Sequence, residues 1–120
     1  LYRALYQTMQ ESLVRACHDL SEGGLAVAAA EMCIGGRLGL TITVNADDLE
    51  SALFGETNGC FLVEVRPTSC AGFEDILAGL PLQRIGTVSS ERRMDISSHE
   101  HTSLISLPVS DLLAAWETHP

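Results

Sequence analysis

In His18-Asp19-Leu20-Ser21-Glu22-Gly23-Gly24-Leu25-Ala26-Val27-Ala28-Ala29-Ala30-Glu31, an acid, a hydroxyl and two glycines stand directly before an alanine-rich apolar run. That order suits a strand or loop entering a helix whose first turn is nearly stripped of side chains. The first four amides of a helix have no intrahelical acceptor, so with the helix dipole they make a ready site for a phosphate or other anion. In such a site Asp19 would hold a metal ion and Ser21 would donate to a phosphate oxygen. Gly23 and Gly24 would leave the backbone bare to the anion. The plainer reading makes Asp19 or Ser21 a helix cap. A cap needs one side chain, whereas a phosphate–metal site needs carboxylate, hydroxyl and bare backbone together.

Composition narrows the chemistry further. The chain has 120 residues, 46% of them hydrophobic, which suits one domain with a buried core over residues 1–120. Its formal net charge of −9 argues against nucleic acid as a partner, because phosphate neutralisation needs clustered cations. A small nucleotide is not excluded, since backbone amides and a bridging divalent cation can hold it. All seven basic residues are arginine, so no mechanism here can use a phosphate-loop lysine. No apolar run is long enough to span a membrane, and the start of the chain does not look like a signal peptide. The chain begins at Leu1, which fits a processed chain or a piece of a longer one. Cys17, Cys33, Cys60 and Cys70 lack C-x-x-C spacing and sit among apolar residues, so buried free thiols in a reducing cytoplasm are expected.

The elements that must position these residues follow from periodicity. Leu5, Met9 and Leu13, with Tyr2 and Tyr6, recur at helical spacing near the start. Val14 to Cys17 reads as a short buried strand delivering His18 and Asp19 at its end. Gly24 to Cys33 reads as a small-residue helix, ended by Gly35-Gly36. Strands are expected over Leu38–Val44, Cys60–Val65, Leu82–Val88, Arg92–Ile96 and Leu104–Leu107, with a tight turn at Asn58-Gly59. Helices are expected from Ala46 or Asp47 to Leu53, from Ser69 to Ala78, and from Asp111 to Glu117 with Trp116 packed inward. Strands alternating with helices predict an α/β (α+β) fold, a mixed β-sheet packed with helices.

Other residues are weaker candidates. Glu56, in a glycine-flanked turn, could reach a metal or an amine, though exposed turn carboxylates are common. Glu31 suits an ion pair or hydrogen bond on the small-residue helix. His18 suits a hydrogen-bonded supporting role, and His99-x-His101 sits in a polar stretch with little else to bind metal. Arg37, beside glycines, suits either a phosphate contact or a surface position.

The run from His18 to Glu31 resembles the carboxy-terminal half-domain of the AIR synthase-related family, in its phosphoribosylformylglycinamidine synthase branch. The resemblance continues through Gly35-Gly36-Arg37-Leu38-Gly39, Leu53-Phe54-Gly55-Glu56, Gly59-Cys60-Phe61-Leu62-Val63-Glu64-Val65 and Arg84-Ile85-Gly86-Thr87-Val88, and ends at Ala115-Trp116. It implies part of an ATP-dependent ligase of purine biosynthesis, which replaces a formyl amide oxygen by glutamine-derived ammonia. Implied cofactors are ATP or ADP and Mg2+. Implied partners are the remaining domains of the same enzyme and a glutaminase domain or subunit. On this resemblance Asp19 is the metal ligand and Ser21, Gly23 and Gly24 bind nucleotide, with His18 and Glu56 secondary and no catalytic residue in the chain. The isolated segment is then expected to be inactive. The alternatives are a non-catalytic scaffold half-domain and an ATP-dependent kinase of the same superfamily.

Overall fold

The computed structural model describes residues 1–20, 23–56 and 59–118, the last three by their backbone alone. The helices are α1 (Tyr2–Gln10), α2 (Gly24–Gly36), α3 (Leu49–Phe54), α4 (Cys70–Ile76) and α5 (Val109–Thr118). The strands are β1 (Val14–Asp19), β2 (Gly39–Val44), β3 (Phe61–Val65), β4 (Gly86–Ser89), β5 (Arg93–Ser98) and β6 (Ser103–Pro108). A 3-10 turn, Pro67–Ser69, leads into α4. This is the mixed α/β architecture the sequence predicts. Backbone contacts group into two compact units, Leu1–His18 with Val63–Arg84, and Asp19–Leu62 with Ile85–Pro120.

In the first unit α1 lies against α4, and Leu5, Phe73 and Leu77 are buried. Thr8 is buried as well, because its hydroxyl donates to the Leu5 carbonyl at 2.6 Å and leaves no polar atom unpaired. The helix expected from the spacing of Leu5 and Met9 with Tyr2 and Tyr6 is present as α1. Tyr2, Tyr6 and Met9 are exposed, at 66%, 62% and 43%. The apolar arc of this helix is wider than the face that finds a partner, and Leu5 with Thr8 occupies that face. β1 and β3 pair as a two-stranded sheet.

The second unit holds a four-stranded sheet in the order β4-β2-β5-β6. β2 and β5 run parallel, with Leu40 opposite Met94 and Ile42 opposite Ile96. β4 is antiparallel to β2, and β6 is antiparallel to β5 with an irregularity at Ile96/Ser97. Alternation along β2 and β5 sends Leu40, Ile42, Val44, Met94 and Ile96 to one face and Thr41, Thr43, Asp95 and Ser97 to the other. Ala26, Ala29 and Cys33 of α2 cover the apolar face together with Leu53 of α3 and Val109 of α5. The polar face carries its own network: Arg93 Nη2 donates to Ser106 Oγ at 2.8 Å, and Ser106 Oγ donates to Asp95 Oδ1 at 2.6 Å.

Several boundaries differ from those the sequence suggests. The strand expected over Leu82–Val88 begins only at Gly86, which pairs with Ile42, although β2 itself runs on to Val44. Ile85 accepts one bond from Thr43 N–H at 2.8 Å, and Leu82 and Arg84 upstream are exposed. The third helix starts two or three residues later than expected, at Leu49, since Asp48 is the residue whose carboxylate reaches back to the helix. It accepts from Ser51 N–H at 3.2 Å and from Ser51 Oγ at 2.8 Å. The last helix starts earlier, at Val109, directly after the proline that ends β6. The Asn58-Gly59 turn and the packing of Trp116 lie outside the described residues.

The seat of α2 depends on one close approach. A Cβ on Gly24 would lie 2.8 Å from the carbonyl oxygens of both Leu53 and Gly55, so the start of α2 touches the end of α3 backbone to backbone. Gly24 also has φ +72°, a conformation side chains disfavour. Gly24→Ala is therefore expected to cost about 2–4 kcal/mol from strain and overpacking together, read as a lower urea midpoint with an unchanged denaturant slope. The Asp48 cap has a pH signature. The Ser51 backbone N–H, then its hydroxyl, hold the Asp48 carboxyl below its usual range. Its stabilisation is thus present above the unfolded-state value and is lost as pH falls through the lower folded value. Asp48→Asn should unfold at lower denaturant than the wild type at neutral pH, and the gap should close in acid. A gap that stays constant with pH would remove the charge from the account of this cap.

Candidate functional site

The site is built from the end of β1 and the start of α2. Along β1 the alternation leaves His18 half-buried and Asp19 exposed. Pairing is carried one residue beyond the strand by Leu20 N–H, which donates to the Cys60 carbonyl at 3.0 Å. This anchors the chain directly after Asp19 and fixes where the carboxylate leaves the sheet. Ser21 and Glu22 lie outside the described residues.

The helix cap falls on Gly23, with φ +76° and no side chain to offer an acceptor. Asp19 stands four residues before this cap position. Two consecutive left-handed residues form the entry to α2, and glycine is the residue that takes this geometry without strain. The two glycines differ in what surrounds them. The Cα flank of Gly24 is filled by the α3 carbonyls, and a phosphate placed there would meet oxygen lone pairs. A Cβ on Gly23 would collide only with Val27, one turn along the same helix.

The contact at Gly24 also brings in the chain that follows α3. Gly55 closes α3, its N–H donating to the Ser51 carbonyl at 2.8 Å, and Glu56 comes next with its side chain exposed. The structure thus gathers Gly23, Gly24 and the Leu53–Glu56 backbone at one end of α2. It does not bring Arg37 there. Arg37 caps the other end of a 13-residue helix, about 20 Å away at 1.5 Å per residue. His99 and His101 are exposed in the β5–β6 turn, and His99 Nε2 stands 3.8 Å from Glu100 Oε1. Glu31 is half-buried on α2.

The donor chemistry at Asp19 suits magnesium. This ion is commonly held by one or two carboxylates, with substrate phosphates and water completing its octahedron. Among the described residues no three His, Cys, Asp or Glu side chains form a cage, so a cation here would share its shell with a ligand. The cysteines are all free, but the expectation that they are buried holds for Cys33 alone. Cys60 is exposed, and Cys17 and Cys70 are intermediate. Burial pushes the Cys33 thiol up to about 11, so at neutral pH it is a protonated core residue without nucleophilic character.

Sequence reasoning passed over Arg92. The sequence puts Arg92 at the start of an expected strand, whereas it precedes β5 in the β4–β5 turn and lines a cleft with Arg37. The opposite polar face, with Arg93, Asp95 and Ser106, was equally invisible until strand register was known.

Comparison with known proteins follows the same lines. The model of the AIR synthase related protein, C-terminal domain, matches residues 1–99. The phosphoribosylformylglycinamidine synthase subunit PurL of Synechocystis sp. is 37% identical over 97% of this chain. Its counterpart in Lactobacillus helveticus is 41% identical over 77%. The chain spans only 16% and 12% of those two relatives. Among solved structures, T. maritima PurL complexed with ATP has a TM-score of 0.81 at 20% identity, over 92% of this chain and 20% of that one. The hydrogenase maturation protein HypE in complex with ATP has a TM-score of 0.70 at 15% identity, over 91% of this chain and 42% of that one. These structural likenesses establish a shared fold. With the family model matched over residues 1–99 and the strand–glycine–helix entry in place, the chain belongs to the AIR synthase related protein C-terminal domain family.

Proposed function

We propose that this chain is the carboxy-terminal AIR-synthase-like part of a phosphoribosylformylglycinamidine synthase. The parent enzyme would be an ATP-dependent ligase that makes formylglycinamidine ribonucleotide with glutamine-derived ammonia in the cytoplasm. The observation that carries the proposal is sequence identity of 37% over nearly the whole chain to a subunit of that name. The left-handed glycine entry beside Asp19 supports it from the side of geometry. The fold shared with PurL structures complexed with ATP, ADP and AMPPCP is consistent with it. The same fold in HypE keeps an ATP-dependent kinase-like relative as the second reading, at lower similarity.

Bound ATP would supply the phosphoryl group that activates the amide oxygen. This chain's own residues do quieter work. Asp19 would hold the magnesium ion, Ser21 would donate to a phosphate oxygen, and the Gly23 and Gly24 amides would serve the anion at the helix start, with His18 and Glu56 as secondary candidates. The backbone contact of Gly24 with α3 would hold that helix start in place. One wall of a site does not turn over alone. The exposed Tyr2, Tyr6 and Met9 of α1 suit packing against other domains of the same enzyme, with a glutaminase domain or subunit supplying ammonia.

Asp19→Ala in the full-length protein tests the reading. Nucleotide affinity in the presence of magnesium, measured by calorimetry, should fall at least about tenfold, a change of about 1.4 kcal/mol. The melting temperature should change little, because the Asp19 side chain is exposed. Unchanged affinity in that variant, together with unchanged ammonia-dependent turnover, would point to a scaffold half-domain instead. The isolated 120-residue chain should show no turnover with ATP, ammonia and the ribonucleotide.

A further inference from the structure

The end of α2 remote from Gly24 carries a second constellation. Ile34 and Arg37 from that end, Arg92 from the β4–β5 turn, and Val109, Ser110 and Leu113 from the start of α5 line one open cleft of about 230 Å3. All six belong to the second unit. The length of α2 separates this cleft from the Asp19 end by about 20 Å.

Two residues of its wall hold a backbone conformation that glycine takes most easily. Arg37 has φ +53° and Arg92 has φ +54°. Gly35 and Gly36 immediately precede Arg37, at positions with ordinary φ where a Cβ would touch nothing. The chain thus sets arginine where glycine would be easier, and glycine where any residue would fit. Arg37 has a local electrostatic reason, since it sits at the negative end of the α2 dipole. Arg92, in a turn between strands, has no such reason. What the two share is the cleft.

The fold also takes care to bring Arg92 there. A Cβ on Gly39 would lie 2.5 Å from the Arg93 carbonyl oxygen and 3.0 Å from the Arg92 nitrogen, so this glycine lets the turn tuck against the start of β2. Val109 N–H then donates to the Arg92 carbonyl at 2.9 Å and ties the turn to α5. Arg84 pairs with Glu74 at 3.0 Å and Arg93 approaches Asp95 at 4.0 Å. Among the described residues, the Arg37 and Arg92 guanidinium groups have no carboxylate partner. In a chain of net charge −9, two cations at one apolar-floored cleft are left available to an outside anion.

We propose that this cleft binds a phosphate monoester carried on a short apolar body. At about 230 Å3 the cleft is smaller than the roughly 300–1,000 Å3 typical of sites for drug-sized ligands. It leaves room for one phosphate and a small group attached to it. A carboxylate has two oxygens, which a single arginine can satisfy bidentately, whereas phosphate has acceptors for two guanidinium groups at once. Ile34, Val109 and Leu113 receive the apolar body, and the exposed Ser110 hydroxyl is available to a phosphate oxygen.

Arginine-directed modification of the full-length protein with phenylglyoxal, read peptide by peptide in a mass spectrometer, tests this at single residues. Phenyl phosphate should slow modification of Arg37 and Arg92 about tenfold relative to chloride at equal ionic strength, with the exposed Arg3 unaffected. Inorganic phosphate should protect the same two residues more weakly, and benzoate least of all. Arg37→Gly should keep or raise the melting temperature, because it relieves the backbone, and should abolish protection of Arg92. Arg92→Gly should do the reverse for Arg37. Slowing no greater than at Arg3 overturns the site, and equal protection by benzoate overturns the choice of phosphate. Glycine variants that melt lower and leave protection unchanged would make both arginines structural. Because the readout is local and needs no turnover, failure here is distinguishable from failure of the Asp19 assignment.

Discussion

The close seat of α2 on the parallel pair β2 and β5 governs where every candidate functional group lies. Its inner face is Ala26, Ala29 and Cys33, residues short enough for the helix backbone to approach Leu40, Ile42, Met94 and Ile96 directly. Ala29 and Ile96 are fully enclosed. Burial of each large apolar side chain in this layer is worth about 1.5–3 kcal/mol. An exposed pair such as Arg84–Glu74 contributes about 0–1 kcal/mol. The apolar layer therefore sets the geometry, and the charged groups are carried to wherever it leaves the two ends of the helix. One end delivers the glycine entry beside Asp19, and the other delivers Arg37.

The parts of this arrangement that were legible in the sequence are those fixed by local chemistry. The order Asp, hydroxyl, two glycines and alanines marked the strand end and helix start, and both are found within a residue or two of their expected places. Alternation in Leu40-Thr41-Ile42-Thr43-Val44 marked β2 and its inner face. What could not be read depends on partners distant in the chain. Leu82 to Ile85 has strand-like composition, but the ladder to β2 stops at Gly86 opposite Ile42, with one further bond from Thr43 N–H to Ile85. Helical spacing marked α1, yet of its large apolar residues only Leu5 is buried. Arg92 was expected at the start of a strand, and its place in the turn before β5 depends on the fold.

The glycines show why a motif of small residues overstates its functional content when read alone. Gly24 is required by backbone contact with α3, whatever binds beyond it. Gly39 is required by the turn that tucks against β2. A residue demanded by packing carries no independent information about a ligand, so the case for chemistry at the α2 entry rests on the groups packing does not explain. What remains is the left-handed cap at Gly23, which offers no side chain to its own helix.

The same reasoning sorts the arginines at the far end of α2, with the opposite result. Packing demands nothing of a guanidinium at Arg37 or Arg92, and the backbone at both would be easier with glycine. The chain holds Gly36 one residue before Arg37, so a shift of a single position would place glycine at the left-handed cap. Strain retained where relief lies one residue away is a sign that the side chain itself is what the position requires. On the two proposals above, this helix would separate two anion-binding ends. One is built from bare backbone and a carboxylate, and the other from cations over an apolar floor. They differ in the charge they present, so a metal-bridged phosphate suits the first and a phosphate without metal suits the second.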